Sequence, residues 1–279
     1  MAMLVQSTET PANRFDFALS SPHAMVEFVI QTMRRCLDQP LMLDDLAAVA
    51  GLSAFHFHRV FRSVTGIPPS EFLTILRLQE AKRLLLTTSM SVIDICTEVG
   101  YASLGTFTAR FGRLVGTSPG RLRQFADTAV LPSMARLCES LSAGELPSHA
   151  PAVTGSITAT VPVFGPVFVG LYPKPIPQGR PLACSMLTSA APFHIEAVPP
   201  GQYFLLAASL PWAEDPRVPL LAYAGTLVGR YPLPLTVQHD GYQCAADVTL
   251  RPPRMTDPPI LSSLPFFLSR RLAEASGAA

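Results

Sequence analysis

Apolar residues recur every three to four positions through the first half of the chain. In the second half they come in short alternating runs between prolines and glycines. Met25, Val26, Phe28, Val29, Met33, Cys36 and Leu37 predict a helix over 24–38. A shorter helix follows from Leu43 to Gly51, its first turn carrying Asp44 and Asp45 against the positive end of the dipole. Ser53 is placed to cap a third helix reaching about Val64, and Phe72, Leu73, Leu76, Ala81, Leu84 and Leu85 predict a long fourth over 70–87. The pattern then predicts a helix from Ser91 to Gly100, one from Leu104 to Val115, and one opening at Ser118-Pro119. These seven helices fall within roughly a hundred residues. Beyond Pro151 the runs 156–161, 167–171, 182–187, 193–197, 203–209 and 245–250 predict a β-sandwich.

The helical half repeats itself at an interval of about fifty residues. Gly51, Phe57, Phe61, Gly66 and Pro69 are matched by Gly100, Phe107, Phe111, Gly116 and Pro119. Each copy reads as a helix, a glycine-containing turn and a second helix, the arrangement that lays the second helix in a major groove of DNA.

Composition divides the chain at the same place. Between His23 and Ala126 eleven Lys/Arg face eight Asp/Glu and proline is sparse; after Pro151 proline is frequent and charge rare. The net charge of +1 leaves any attraction for nucleic acid to local placement. The expected organisation is a loose arm at 1–22, a helical domain at 23–126, a connection with a possible helix (133–143) at 127–152, a β-domain at 153–272, and a flexible tail at 273–279. Five cysteines, odd in number and without metal-type spacing, suit free thiols in a reducing, cytoplasmic compartment. No run reaches the length of a membrane span, and no cofactor or metal site is expected.

Centring the buried side of the first second-helix on Phe57 and Phe61 turns Phe55, His56, Arg59, Arg62 and Ser63 outward, with His58 on the flank. Arg59 points most directly away from the core. Arginine there suits guanine O6 and N7, Phe55 a thymine methyl group, and Arg62 a phosphate. His56 and His58, two apart, face different sides of a helix and make a poor metal pair. In the second copy Gly105, Thr106, Ala109, Gly112 and Arg113 face outward and Arg110 lies on a flank, a set suited to close backbone approach with phosphate contacts. Arg77, Lys82, Arg83, Arg121 and Arg123 are expected on the helix surface or in intramolecular pairs.

The stretches LAAVAGLSAFHFHRVFRSVTG, RLQEAKRLLL and VIDICTEVGYASLGTFTARFGRLVGTSPGRLR resemble the DNA-binding domain of the AraC/XylS family of bacterial transcription regulators over about residues 24–125. That resemblance implies a single-chain module whose two reading helices enter successive major grooves on one face of double-stranded DNA, with RNA polymerase as a partner. The second copy departs from the family, which usually carries Arg where Ala109 stands and Lys or a related polar residue where Gly112 stands. An asymmetric reader is therefore expected: the first helix chooses sequence and the second adds affinity.

In the second half PFHIEAVPPGQYFLLAAS alternates on both sides of Pro199-Pro200-Gly201 and resembles the closing hairpin of transthyretin-like and carboxypeptidase-regulatory-type sandwiches. His194, Glu196, His239 and Asp240 are the candidates for acid–base or metal chemistry and sit in no catalytic motif, so an enzyme is not expected. Cys184 and Cys244 are weighed as a redox pair against small buried hydrophobes, and Trp212 as a pocket wall against a plug for the sandwich. The β-domain is read as a site for effector sensing, homodimerisation or partner docking. The alternatives are a DNA-targeted interaction platform without a small effector, and an enzyme carried by a DNA-targeting module.

Overall fold

The computed structural model describes residues 21–134, 136, 152–221, 225–238 and 243–275. Among the described residues seven full helices precede the strands: α1 (Pro22–Arg35), α2 (Leu43–Val49), α3 (Ala54–Thr65), α4 (Pro69–Thr87), α5 (Val92–Glu98), α6 (Leu104–Val115) and α7 (Pro119–Thr128). Their ends follow local chemistry. The Ser53 hydroxyl accepts from the His56 N–H and that of Ser103 from the Thr106 N–H, which caps α3 and α6 identically. Gly66 and Gly116 end the same two helices at φ +84° and +92°, a left-handed conformation that costs a residue with a Cβ about 1–2 kcal/mol. Inside each copy the phenylalanines stack edge-on or tilted, Phe57 on Phe61 and Phe107 on Phe111 at 5.5 and 5.7 Å between ring centres.

The second half contains β1 (Ala152–Ala159), β2 (Val167–Tyr172), β3 (Ala183–Leu187), β4 (Pro192–Ile195), β5 (Gly201–Ser209), α8 (Arg217–Leu221), β6 (Leu227–Arg230), β7 (Leu235–Val237), β8 (Gln243–Ala245), β9 (Val248–Leu250) and α9 (Leu264–Ala275). One sheet runs β4-β1-β8, with β9 pairing further along β1; the other runs β3-β2-β5-β6, with β7 also on β5. Val153, Ile157, Phe193 and Ile195 from the first sheet meet Val167, Val169, Leu205 and Ala207 from the second in one core.

The expected β4–β5 hairpin does not form. β4 pairs antiparallel with β1, Ile195 opposite Val153, whereas β5 pairs with β2, Ala207 opposite Val169. Both strands turn an apolar face to the same core from opposite sheets, and the Pro199-Pro200 connection carries the chain across, held by the Tyr203 hydroxyl donating to Pro199 O. α8, α9, β6 and β7 were not expected. α9 covers residues 273–275, which the sequence pattern assigns to a loose tail, and α1 already includes Pro22, assigned to the arm. Most of the 133–143 helix falls outside the described residues.

The two halves share packing. Ile176, Leu220 and Leu261 from the second half are buried in the same cluster as Phe61, Phe72 and Phe107 of the first. Lys174 pairs with Glu71 and Arg217 with Asp127 across the boundary. Trp212 is half-buried, and its indole N–H donates to Pro132 O at 2.8 Å, which fastens the connecting segment to the β-domain. No helix among the described residues is long and apolar enough to cross a membrane.

Candidate nucleic-acid interface

α3 rests its inner side on α1, α2 and α4, with Phe57, Phe61 and Thr65 buried. Its outer side presents Phe55, His56, Arg59, Arg62 and Ser63, all exposed, while His58 is half-buried on the flank. Phe55 is 80% exposed at the first turn, an apolar ring that the fold itself gives nothing to cover. The Ser63 hydroxyl donates back to Val60 O and keeps its lone pairs for an outside donor.

α6 buries Phe107, Phe111, Leu114 and Val115 and exposes Gly105, Thr106, Ala109, Arg110 and Arg113; Gly112 is half-buried. A Cβ on Gly112 would meet nothing within 4 Å, so the surface beside it is open to close approach. Arg110 lies beside Tyr101. Burial holds the Tyr101 hydroxyl pKa above its usual value, and the Arg110 guanidinium offsets only part of that rise.

The five basic residues expected on the helix surface or in intramolecular pairs divide clearly. Arg77 donates to Leu37 O and Gln39 O, Arg83 pairs with Glu80, and Arg123 donates to Leu85 O and Thr88 O. Lys82 is buried against Ile260 O, and Arg121 alone of the five is exposed. The outward cations of α3 and α6 are therefore Arg59, Arg62, Arg110 and Arg113.

α3 and α6 are also held from behind, which the sequence pattern does not foretell. The Gly179 N–H donates to Leu114 O at 2.5 Å and the Ser263 N–H to Val115 O at 3.1 Å, satisfying last-turn carbonyls of α6 from the β-domain. A Cβ on Gly116 would collide with the Phe267 ring, and one on Gly66 would lie 3.3 Å from Arg230 Nη1. The ends of α3 and α6 thus abut the second half. A signal for α9 was present in Ser263-Leu264-Pro265 followed by apolar residues at helical spacing.

Of the four acid–base candidates of the second half, two are described. His194 Nε2 lies 3.4 Å from Glu196 Oε1, and His239 and Asp240 fall outside the described residues. Cys184 is exposed on β3, in the sheet opposite the strand that carries Cys244.

Two helix-turn-helix units, each offering the outer side of its second helix with arginine upon it, define a DNA-binding protein of the transcription-regulator class. Comparison with known proteins bears on the same segment. The helix-turn-helix domain family model matches residues 46–124. The HTH-type transcriptional activator AarP of Providencia stuartii is 38% identical over 92 residues, 33% of this chain and 67% of that protein. The RCS-specific HTH-type transcriptional activator RclR of Escherichia coli K12 is 35% identical over 102 residues, 37% of this chain and 36% of that protein. Among solved structures, the DNA-binding domain of AdpA in complex with a target DNA is 31% identical, covering 37% of this chain and 95% of that one at a TM-score of 0.36. The chain belongs to the AraC family of helix-turn-helix transcription regulators. The match spans two thirds of AarP but about a third of RclR.

Proposed function

We propose that the protein reads a specific DNA site with α3 and α6 in successive major grooves and that the β-domain senses a small-molecule effector that sets its DNA affinity. RNA polymerase is then its target. Arg59 reads a guanine through two hydrogen bonds, Phe55 packs on a thymine methyl group, and Arg62 holds a phosphate. His56, His58 and Ser63 border that contact. Thr106, Arg110 and Arg113 bind phosphates while Gly105 and Ala109 let the α6 backbone approach closely.

One observation carries this reading: Arg59 and Phe55 stand together on the outer side of a helix whose inner side is locked by Phe57 and Phe61. With the helix held that rigidly, meeting a base orders only the Arg59 side chain and not the segment that carries it. Sensing is supported by the position of the β-domain, whose backbone caps α6 and whose Arg230 lies at the end of α3.

The test is selection of bound sites from random DNA with the full chain and its variants. Arg59→Ala is expected to relax preference at one or two base pairs, a loss of about 1–3 kcal/mol of discrimination. Arg113→Ala is expected to weaken all sequences alike and to reduce the salt slope by about one. Unchanged base preference in Arg59→Ala overturns the assignment.

A further inference from the structure

A groove of about 1450 Å³ runs between the outer face of the second sheet, α9 and the C-terminal ends of α3 and α6. We infer that it binds a small amphipathic anion, an apolar body bearing one negative group, with Arg230 taking the charge. The inference rests on the sensing role proposed above and gives it a site and a ligand class.

The walls set the chemistry. Phe168, Leu206, Ala208 and Val228 of the sheet form an apolar floor, and Leu264 and Phe267 of α9 face it. Pockets for small molecules usually enclose about 300–1000 Å³, so the groove holds such a ligand with water to spare. Its charged lining comprises Arg180, Arg230, Arg251 and Arg270 against Glu196 and Asp257. Arg251 is occupied by Asp257 through two hydrogen bonds of 2.7 and 2.8 Å, and Glu196 lies next to His194. The balance of the groove is therefore positive, with the exposed guanidiniums of Arg180 and Arg230 beside an apolar floor. A neutral apolar ligand would strip water from these cations without replacing it; an anion restores their hydrogen bonds.

The position of Arg230 links occupancy to reading. Its guanidinium lies at Gly66, against the negative end of the α3 dipole. A bound anion competes with that helix end for the same guanidinium. Phe267, a groove wall, is also the ring against Gly116 at the end of α6. One ligand therefore touches the supports of both reading helices, which supplies the differential contact that any effector must make.

The experiment uses the full chain and the fluorescence of 8-anilinonaphthalene-1-sulfonate, itself an aromatic anion, displaced by decanoate, 1-decanol or decyltrimethylammonium below their aggregation concentrations. Decanoate is expected to displace the dye at least ~10-fold better than decanol, the worth of one charge-assisted contact. Arg230→Gln removes that advantage, whereas Arg35→Gln, an exposed cation on α1, keeps it. Arg230→Glu reverses the preference toward decyltrimethylammonium, an outcome that misfolding cannot produce. Equal displacement by decanoate and decanol, or equal behaviour of the Arg230→Gln and Arg35→Gln proteins, overturns the inference. DNA affinity in the same samples separates the two readings: decanoate that binds through Arg230 but leaves the Kd for DNA unchanged keeps the site and sinks the sensing role.

Discussion

Replacing Lys82 by methionine should stabilise the protein at neutral pH and make the gain vanish in alkali. Lys82 is 3% exposed on the side of α4 that meets the second half, and burial lowers its pKa from 10.5 to about 8. Its Nζ donates to Ile260 O at 3.4 Å. Below pH 8 the amine is protonated in both folded and unfolded chains, and the folded state bears the full cost of the desolvated charge. At about 1.4 kcal/mol per pKa unit that cost is roughly 3 kcal/mol. Between pH 8 and 10.5 the unfolded chain binds more protons than the folded one, so stability rises with pH over that window.

Methionine fills the space of the lysine stem without charge and leaves Ile260 O without its donor, a loss of about 1 kcal/mol. The net gain at pH 7 is then about 2 kcal/mol, or roughly 4–8 °C in Tm for a chain of this size. Above pH 10.5 the wild-type amine is neutral and still donates to Ile260 O, so the variant becomes the less stable protein. Urea unfolding of both proteins at pH 7, 9 and 10.5 reads the difference directly, because other titrating groups cancel in the comparison. A gap that stays constant across this range, or a variant already weaker at pH 7, would refute the placement of a charged Lys82 in the interface.

Further expectations follow from single contacts. Gly116→Ala should cost about 2–4 kcal/mol, since a side chain at φ +92° is strained and its Cβ must displace the Phe267 ring. Gly112→Ala, at an unobstructed position inside α6, should instead gain up to ~1 kcal/mol; thermal melts of the pair compare them. Ser103→Ala removes the cap of α6 and should cost about 1 kcal/mol by denaturant titration. Burial alone would raise the pKa of Asp257, but hydrogen bonds from Arg251 and the Arg254 N–H hold it below the usual carboxylate value. The stability it adds is present above the unfolded carboxylate pKa and lost as pH falls through the lower folded one. The deficit of Asp257→Asn should therefore shrink in acid, as melts at pH 7 and pH 3 will report.

The reading helices were legible because their signals are local. Ser103, the phenylalanines four apart and Gly116 mark the start, inner side and end of α6 with no reference to the rest of the chain. The partners of the strands were not. Alternation in Phe193, His194 and Ile195 tells which side is buried, but a strand turned toward the core from either sheet has the same alternation. The nearest apolar run in sequence thus looked like a hairpin partner when it belonged to the facing sheet. β6 and β7, of four and three residues, are too short to carry periodicity at all. The docking of the two halves was hidden for a different reason. Gly116 is sufficiently explained as a helix end and Lys82 as a surface lysine, and nothing in the local pattern singles out Arg230. Only their coordinates show that each also meets the other half.

That docking makes a thermodynamic claim of its own. Ile176, Leu220 and Leu261 are at most 1% exposed and complete the core of the helical half. Full burial of such side chains is worth about 1.5–3 kcal/mol each, so together they supply roughly 5–9 kcal/mol. A whole domain is stable by only about 5–15 kcal/mol. Giving up these contacts would cost the helical half a large share of such a stability, so the two halves should melt together. Scanning calorimetry of the full chain is expected to show one transition with matching calorimetric and van't Hoff enthalpies. Two separated transitions would mean that the shared core does not hold in solution, and would remove the physical route by which the β-domain reaches α3 and α6.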